Sequence, residues 1–135
     1  MSHGFDYDLA FSRNIGWFTE EEQHVLKGKK VAIAGMGGVG GFHLITLTRL
    51  GVSNFHLSDF DEFACENTNR QYGANVNSYD KKKLDTMVEM AMAINPELSI
   101  TTFPEGINKE NTEAFLEGVD CYVDSLDFFA IEPRK

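Results

Sequence analysis

The sequence predicts an α/β fold: a doubly wound, mainly parallel sheet with helices on both faces. Three observations predict it. The apolar run Val31-Ala32-Ile33-Ala34 passes directly into the turn Gly35-Met36-Gly37-Gly38-Val39-Gly40. Strand-like and helix-like periodicities then alternate as far as Val123, as in βα units whose strands pair in parallel. The 135 residues are 42% apolar, which suits a single core burying roughly two thirds of the unfolded chain's surface.

The elements follow in order. Thr19-Glu20-Glu21-Glu22 fits a capping box and starts a short helix that ends at Gly28. Residues 1–28 are therefore expected to form a helical arm ahead of an α/β domain at 29–135. The first strand, residues 30–35, carries the continuous apolar run Val31 to Ala34, as in a strand covered on both faces. Residues 39–50 carry Phe42, Leu44, Ile45, Leu47 and Leu50 at helical spacing, and Gly51 closes that helix. Residues 55–58 alternate as a strand and end in Asp59-Phe60-Asp61, followed by a polar loop to about Ser78. Leu84, Met87, Val88, Ala91 and Ile94 predict a helix over 81–94, stopped by Asn95-Pro96. A third strand is expected at 98–103, a helix at 109–117 with Asn108 as N-cap and Gly118 past its end, and a fourth strand at 121–123. Residues 128–135 would begin a further crossover, so the sheet is expected to be cut short after the fourth strand. In such a sheet, ligands bind beyond the carboxyl ends of the strands. Residues 35–40, 59–70 and 124–127 are thereby predicted to share one rim.

Composition narrows the function classes. Twelve Lys and Arg against 21 Asp and Glu give a formal net charge of -9, which argues against a broad grip on nucleic acid or anionic membrane. Cys65 and Cys121 are too far apart for a CxxC pair and too few for a disulfide framework. They read as reduced thiols of a cytoplasmic protein. The N-terminus lacks a secretory pattern, and no run reaches the roughly 18 apolar residues of a membrane span. His3, His24, His43 and His56 show no metal-ligand spacing and read as structural or surface residues. The aromatics, mostly Phe, are expected to fill the core.

The chemistry is carried by the rim. Between strand and helix, GxGxxG lets backbone N–H groups and a helix N-terminus approach phosphate. Asp59, ending the second strand, is placed to accept ribose hydroxyls. These two features suit NAD and ATP equally. The residues that follow favour ATP: Asp59 and Asp61 as D-x-D, Asn67 with Arg70-Gln71 as N-x-x-R-Q, Lys83 opening the next helix, and Asp127 after the fourth strand. With Arg13 near the N-terminus and Gly35, Gly37, Gly38 and Gly40 in the turn, this order resembles the ThiF family, which includes activating enzymes for molybdopterin and thiamine sulfur carriers and, more distantly, for ubiquitin. The resemblance runs from about Arg13 to Asp127 and includes the Ile94-Asn95-Pro96 helix end.

The resemblance implies a Rossmann-like ATP-binding domain in which a carboxylate attacks the α-phosphate of ATP, giving an acyl-adenylate and pyrophosphate. It implies Asp59 on the ribose with Asp61 beside it, Asn67, Arg70 and Lys83 on the phosphates, Asp127 on magnesium, and Arg13 reaching the phosphates of a neighbouring protomer's site. A homodimer is then expected, with the C-terminus of a ubiquitin-like or sulfur-carrier protein as acceptor. A tRNA-modifying or peptide-modifying relative fits the same residues. Chemically, a carboxylate is ionised at pH 7 and needs no general base; the obstacle is repulsion between anions, which two fixed cations, a metal and aligned amide dipoles relieve. No Walker-type GxxxxGK[ST] is present, so Arg70 and Lys83 are the available pair.

Some positions depart from the family pattern. Asn14 stands where glutamine is common, and Phe128 where asparagine is usual. Lys81-Lys82-Lys83 offers three lysines, of which the motif register selects Lys83. No cysteine matches a catalytic thiol, and the zinc CxxC pairs of many members are absent from this sequence. Two other readings remain: an NAD-dependent oxidoreductase, which leaves Arg70-Gln71, Lys83 and Asp127 unexplained, and a catalytically silent partner subunit of an activating enzyme.

Overall fold

The structure is a computed structural model that describes residues 4–126. Four strands, β1 (Lys30–Ala34), β2 (Asn54–Ser58), β3 (Ser99–Phe103) and β4 (Cys121–Asp124), lie in the order β3-β2-β1-β4. Every neighbouring pair is parallel. The helices are α1 (Tyr7–Ala10), α2 (Glu20–Gly28), α3 (Gly38–Leu50), α4 (Lys83–Ile94) and α5 (Thr112–Leu116), with 3-10 turns at Ser12–Asn14 and Cys65–Asn67. The chain winds outward from β1 through β2 to β3, then crosses back to β4 on the other side of β1. That reversal makes the carboxyl end of β1 the switch point where doubly wound sheets bind ligands.

Alternation along the strands separates two cores. Val31 and Ile33 of β1 and Phe55 and Leu57 of β2 point to one face, where Leu44 and Ile45 of α3 and Leu84, Met87 and Ala91 of α4 cover them. Ala32 and Ala34 point to the other face, under Phe115 of α5. There the buried His56 ring approaches the Phe115 carbonyl, Nδ1 to oxygen 2.8 Å, so its role is structural. Phe55, Phe63 and Phe115 fill the interior, whereas Trp17, Phe42, Phe60, Tyr72 and Tyr122 are exposed, so the expectation that aromatics fill the core holds for only part of them.

The capping box is present, with Thr19 Oγ1 accepting from the Glu22 N–H and Glu22 accepting from the Thr19 N–H. The N-terminal helices are fastened to the end of α3. Tyr7 donates its hydroxyl to the Gly51 carbonyl (2.7 Å), and Gln23 Nε2 donates to the Leu50 carbonyl (2.8 Å). Asn14 Nδ2 donates to Gln23 Oε1 and to the same Leu50 carbonyl. Gly51 is left-handed at φ 109, and a Cβ there would collide with Gln23 and Tyr7.

Two helix starts lie later than the sequence predicts. α4 begins at Lys83, because residues 80–82 pair with 62–63: the Phe63 N–H donates to the Lys81 carbonyl (2.9 Å), and the Asp80 N–H to the Phe63 carbonyl (2.8 Å). α5 begins at Thr112, because Asn108 and Asn111 close a turn in which each side chain accepts the other's N–H. Asn108 therefore caps that turn, not the helix. Among the described residues no helix is long and apolar enough to cross a membrane.

Candidate functional site

The glycine turn lies at the switch point, held from two sides. Gly35 has φ 96, and a Cβ there would lie 2.7 Å from the Ser125 carbonyl oxygen, just past β4. A Cβ on Gly40 would overlap the Gly35 carbonyl. On the opposite side, Cβ positions at Gly37 and Gly38 fall 3.2 Å from Gln71 Nε2 and 3.3 Å from the Arg70 carbonyl oxygen. The missing side chains thus admit the chain's own 70–71 and 125 segments, a close packing in addition to the expected approach of phosphate. Gly37 caps α3 with no side-chain hydrogen bond, which leaves the first-turn N–H groups of a 13-residue helix without a side-chain acceptor. Such a terminus favours an anion.

Asp59 ties the acidic strand end to this turn. Its Oδ2 accepts from the Met36 N–H (2.6 Å) and its Oδ1 from the Asp61 N–H (2.7 Å). A carboxylate oxygen can accept more than one donor, so capacity for ribose hydroxyls remains. The exposed Asp61 contributes its carbonyl, which accepts the Lys83 N–H (2.9 Å) and fixes the start of α4 beside the rim. Its carboxylate has no partner among the described residues.

Asn67, mostly buried, caps its own turn by accepting the Ala64 N–H on Oδ1 (2.8 Å), which leaves its amide hydrogens free among the described residues. Arg70 is exposed, and its guanidinium donates to the Glu66 carbonyl (3.1 Å) and to Asn69 Oδ1 (3.0 Å). Neither partner is an anion, so its charge is unneutralised among the described residues.

Of the three adjacent lysines, Lys81 and Lys82 are exposed and Lys83 is only 8% exposed. The Lys83 ammonium lies 5.7 Å from the Phe63 ring centroid and makes no ion pair among the described residues. Phe63 and Met87 press on Gly73, and Met87 packs under Gly41 of α3, so the Phe63 ring that Lys83 lies over belongs to the packing beside α3.

Asp127 lies outside the described residues; Ser125, two positions earlier in the sequence, abuts Gly35 and Gly40. Arg13, exposed in the 3-10 turn, belongs to the arm fastened at Leu50 and Gly51, about 18 Å along α3 from Gly38 at 1.5 Å per residue. It is remote from the glycine turn of its own chain. Among the described residues no group of His, Cys, Asp and Glu could hold a metal, and both cysteines are free and exposed.

Sequence reasoning assigned no role to Gln71, Phe63 or Ser125. Gln71 is 8% exposed, its Oε1 is buried without a partner, and its Nε2 makes no hydrogen bond among the described residues. Ser125 Oγ is likewise buried and unpartnered. The N-x-x-R-Q motif includes Gln71 but gives it no role of its own. The shifted ionisations lie elsewhere: burial raises the pKa of Tyr7, and burial with the Asp124 charge raises that of Tyr122.

Comparison with known proteins accords with this geometry. The chain is 35% identical over 118 residues to tRNA threonylcarbamoyladenosine dehydratase from Bacillus subtilis, covering 87% of this chain and 46% of that protein. It is 28% identical over 125 residues to molybdopterin-synthase adenylyltransferase from Escherichia coli, covering 91% and 50%. The crystal structure of the Escherichia coli tRNA threonylcarbamoyladenosine dehydratase in complex with ATP superimposes with a TM-score of 0.85 at 25% identity, over 90% of this chain and 50% of that one. The chain thus spans about half the length of the relatives it matches. The ThiF family model matches residues 11–134. With the 3-2-1-4 parallel sheet and the glycine turn at its switch point, that match makes the chain a member of the ThiF family.

Proposed function

We propose that the protein catalyses the ATP- and magnesium-dependent adenylation of a carboxylate. The observation that carries this reading is the Arg70 guanidinium, without an anionic partner among the described residues and on the segment packed against the glycine turn, together with the first turn of α3, whose N–H groups lack side-chain acceptors. A triphosphate would complete both. Asp59 would hold the ribose, with Asp61 at the same rim, while Asn67, Arg70 and Lys83 would take phosphate oxygens. The acceptor carboxylate oxygen would bond to the α-phosphorus as the bond to pyrophosphate breaks, leaving an acyl-adenylate. Fixed cations favour this step because negative charge accumulates on the departing pyrophosphate. Magnesium, when bound, would neutralise phosphate charge, and Asp127 is the residue proposed to hold it. A dehydrogenase reading would leave Lys83 and the loop at 67–71 without a purpose.

A homodimer belongs to the same proposal. Arg13 is fastened at the far end of α3 from its own glycine turn, so it could reach phosphates only in a second copy. A groove of about 350 Å³ along α3, lined by Phe42, Ile45, Thr46, Arg49, Leu50 and Tyr72, offers apolar surface between the arm and the turn.

The proposed acceptor is the C-terminus of a ubiquitin-like or sulfur-carrier protein. A carboxylate carried by a modified tRNA is a second reading, favoured by relatives named tRNA threonylcarbamoyladenosine dehydratase at 35% and 31% identity. Exchange of radiolabelled pyrophosphate into ATP by the full-length protein tests both. Exchange dependent on a carrier protein supports the first acceptor, and exchange dependent on tRNA the second. Exchange with neither would remove adenylation.

A further inference from the structure

We propose, resting on the reading that Arg13 serves the nucleotide site of a second copy, that Asn14 is the positioning residue for Arg13: with Gln23 it forms an amide clasp that locks the turn carrying Arg13 onto the C-terminal end of α3. Arg13 is exposed, and among the described residues its guanidinium makes no hydrogen bond or ion pair. A long side chain without its own anchor reaches a partner's phosphates in a fixed geometry only if the backbone beneath it is held. Asn14 is where that backbone is held. Its N–H donates to the Phe11 carbonyl (3.0 Å), and its carbonyl accepts the N–H groups of Trp17 and Phe18 (both 3.0 Å), so the turn containing Arg13 and the turn after it meet in this one residue.

The Asn14 side chain ties both turns to the rest of the molecule. Its Nδ2 donates to Gln23 Oε1 (3.1 Å) and to the Leu50 carbonyl (3.3 Å). Gln23 Nε2 donates to that same carbonyl (2.8 Å) and to the Tyr7 hydroxyl (3.1 Å). Gln23 is 3% exposed and both ends of its amide are engaged, so it is a fixed rung. Leu50 offers one of the carbonyls that the end of a helix leaves without an intrahelical donor, and the clasp occupies the space that a side chain at Gly51 would fill. The departure from the ThiF pattern fits here as well: where glutamine is common, the shorter Asn14 meets a long amide that reaches back from Gln23. Attachment of the arm does not need Asn14, because Tyr7 donates independently to the Gly51 carbonyl (2.7 Å) and the Tyr7 and Phe11 rings are buried. What Asn14 adds is the register of residues 11–18, and with it the placement of Arg13.

Mixed dimers separate positioning in trans from a structural role. Two differently tagged copies of the full-length protein, one Asn14→Leu and one Lys83→Met, are co-expressed and the mixed dimer is purified through both tags. The site on the Asn14→Leu copy keeps its Lys83 and receives Arg13 from a copy whose clasp is intact. Calorimetric titration with ATP and magnesium should find one site of wild-type affinity per mixed dimer. The Asn14→Leu homodimer should bind ATP roughly tenfold more weakly, the effect of a misplaced phosphate ligand, and adenosine as wild type does. Both substitutions in one copy, paired with a wild-type copy, should leave no site of wild-type affinity. The reversed pattern, or no wild-type site in either arrangement, would overturn the assignment. So would wild-type ATP affinity in the Asn14→Leu homodimer, or failure of that copy to assemble. Arg13→Ala in place of Asn14→Leu should reproduce the pattern. If it does not, or if wild-type protein is a monomer or binds no ATP, the reading of Arg13 itself fails, so the two failures are distinguishable.

Discussion

Replacing Lys83 with methionine deletes the ammonium while keeping a chain of similar length in the same buried space. A charge-assisted hydrogen bond to phosphate contributes about 1.5–3 kcal/mol, which corresponds to roughly 10- to 150-fold weaker ATP binding. Stability should respond oppositely. The residue is 8% exposed, and among the described residues its ammonium meets the Phe63 ring, centroid 5.7 Å away. Such a contact contributes about 0.5–2 kcal/mol, and the apolar methionine side chain in the same largely buried position offsets that loss. The melting temperature should therefore hold or rise while ATP affinity falls. Isothermal titration calorimetry with ATP and magnesium, run beside thermal melts, reads both quantities. Lys81→Met is the control: Lys81 is exposed and, among the described residues, hydrogen-bonds through its backbone alone, so neither quantity should change. ATP affinity for Lys83→Met within about twofold of wild type, below the range worked above, would refute the reasoning. So would a collapse in its melting temperature, which would make Lys83 a structural residue.

Other consequences are checked by simpler measurements. Asp59→Asn keeps one acceptor for the two N–H groups of Met36 and Asp61, so urea denaturation should show a loss of about 1–3 kcal/mol; an unchanged midpoint would remove the clamp. Gly40→Ala drives a methyl into the Gly35 carbonyl and against Ser125, and should destabilise by about 1–3 kcal/mol or more, with native stability as the contrary result. Burial of Tyr7 raises its pKa above 10.0, with the Asp8 charge adding and the Gln23 hydrogen bond opposing. The folded phenol then keeps its proton where the unfolded one loses it, so this contribution is complete below the unfolded pKa and is lost as pH rises above about 10. Urea midpoints should fall on that alkaline side in wild type and fall less in Tyr7→Phe; identical alkaline slopes would contradict the assignment.

Much of the fold was legible because its signals are local. Val31 to Ala34, the glycine turn and the Thr19 capping box are each recognisable from residue types within a few positions, and alternation with helical spacing implied the parallel sheet. The helix starts were less legible, because tertiary pairing decides them. Residues 80–82 are drawn into pairing with 62–63, and that same pairing exposes Lys81 and Lys82 and buries Lys83. The α1 helix and the fastening of Asn14 and Gln23 to Leu50 depend on partners distant in sequence, which no periodicity reports. At the rim, the ordered residue types marked Asp59, Asn67, Arg70 and Lys83, whereas Gln71 stood out only once its burial and its unpaired amide were seen.

The most direct measurement follows an oxygen atom. If the acceptor carboxylate attacks the α-phosphorus, one of its oxygens becomes the bridge of the acyl-adenylate and leaves with AMP when the acyl group is transferred. With the full-length protein, ATP, magnesium and an acceptor carrying ¹⁸O in its carboxylate, followed by hydroxylamine to take the acyl group and release AMP, mass spectrometry should find one heavy oxygen in AMP and none in pyrophosphate. Unlabelled AMP, or ADP with the label in inorganic phosphate, would contradict adenylation at this site.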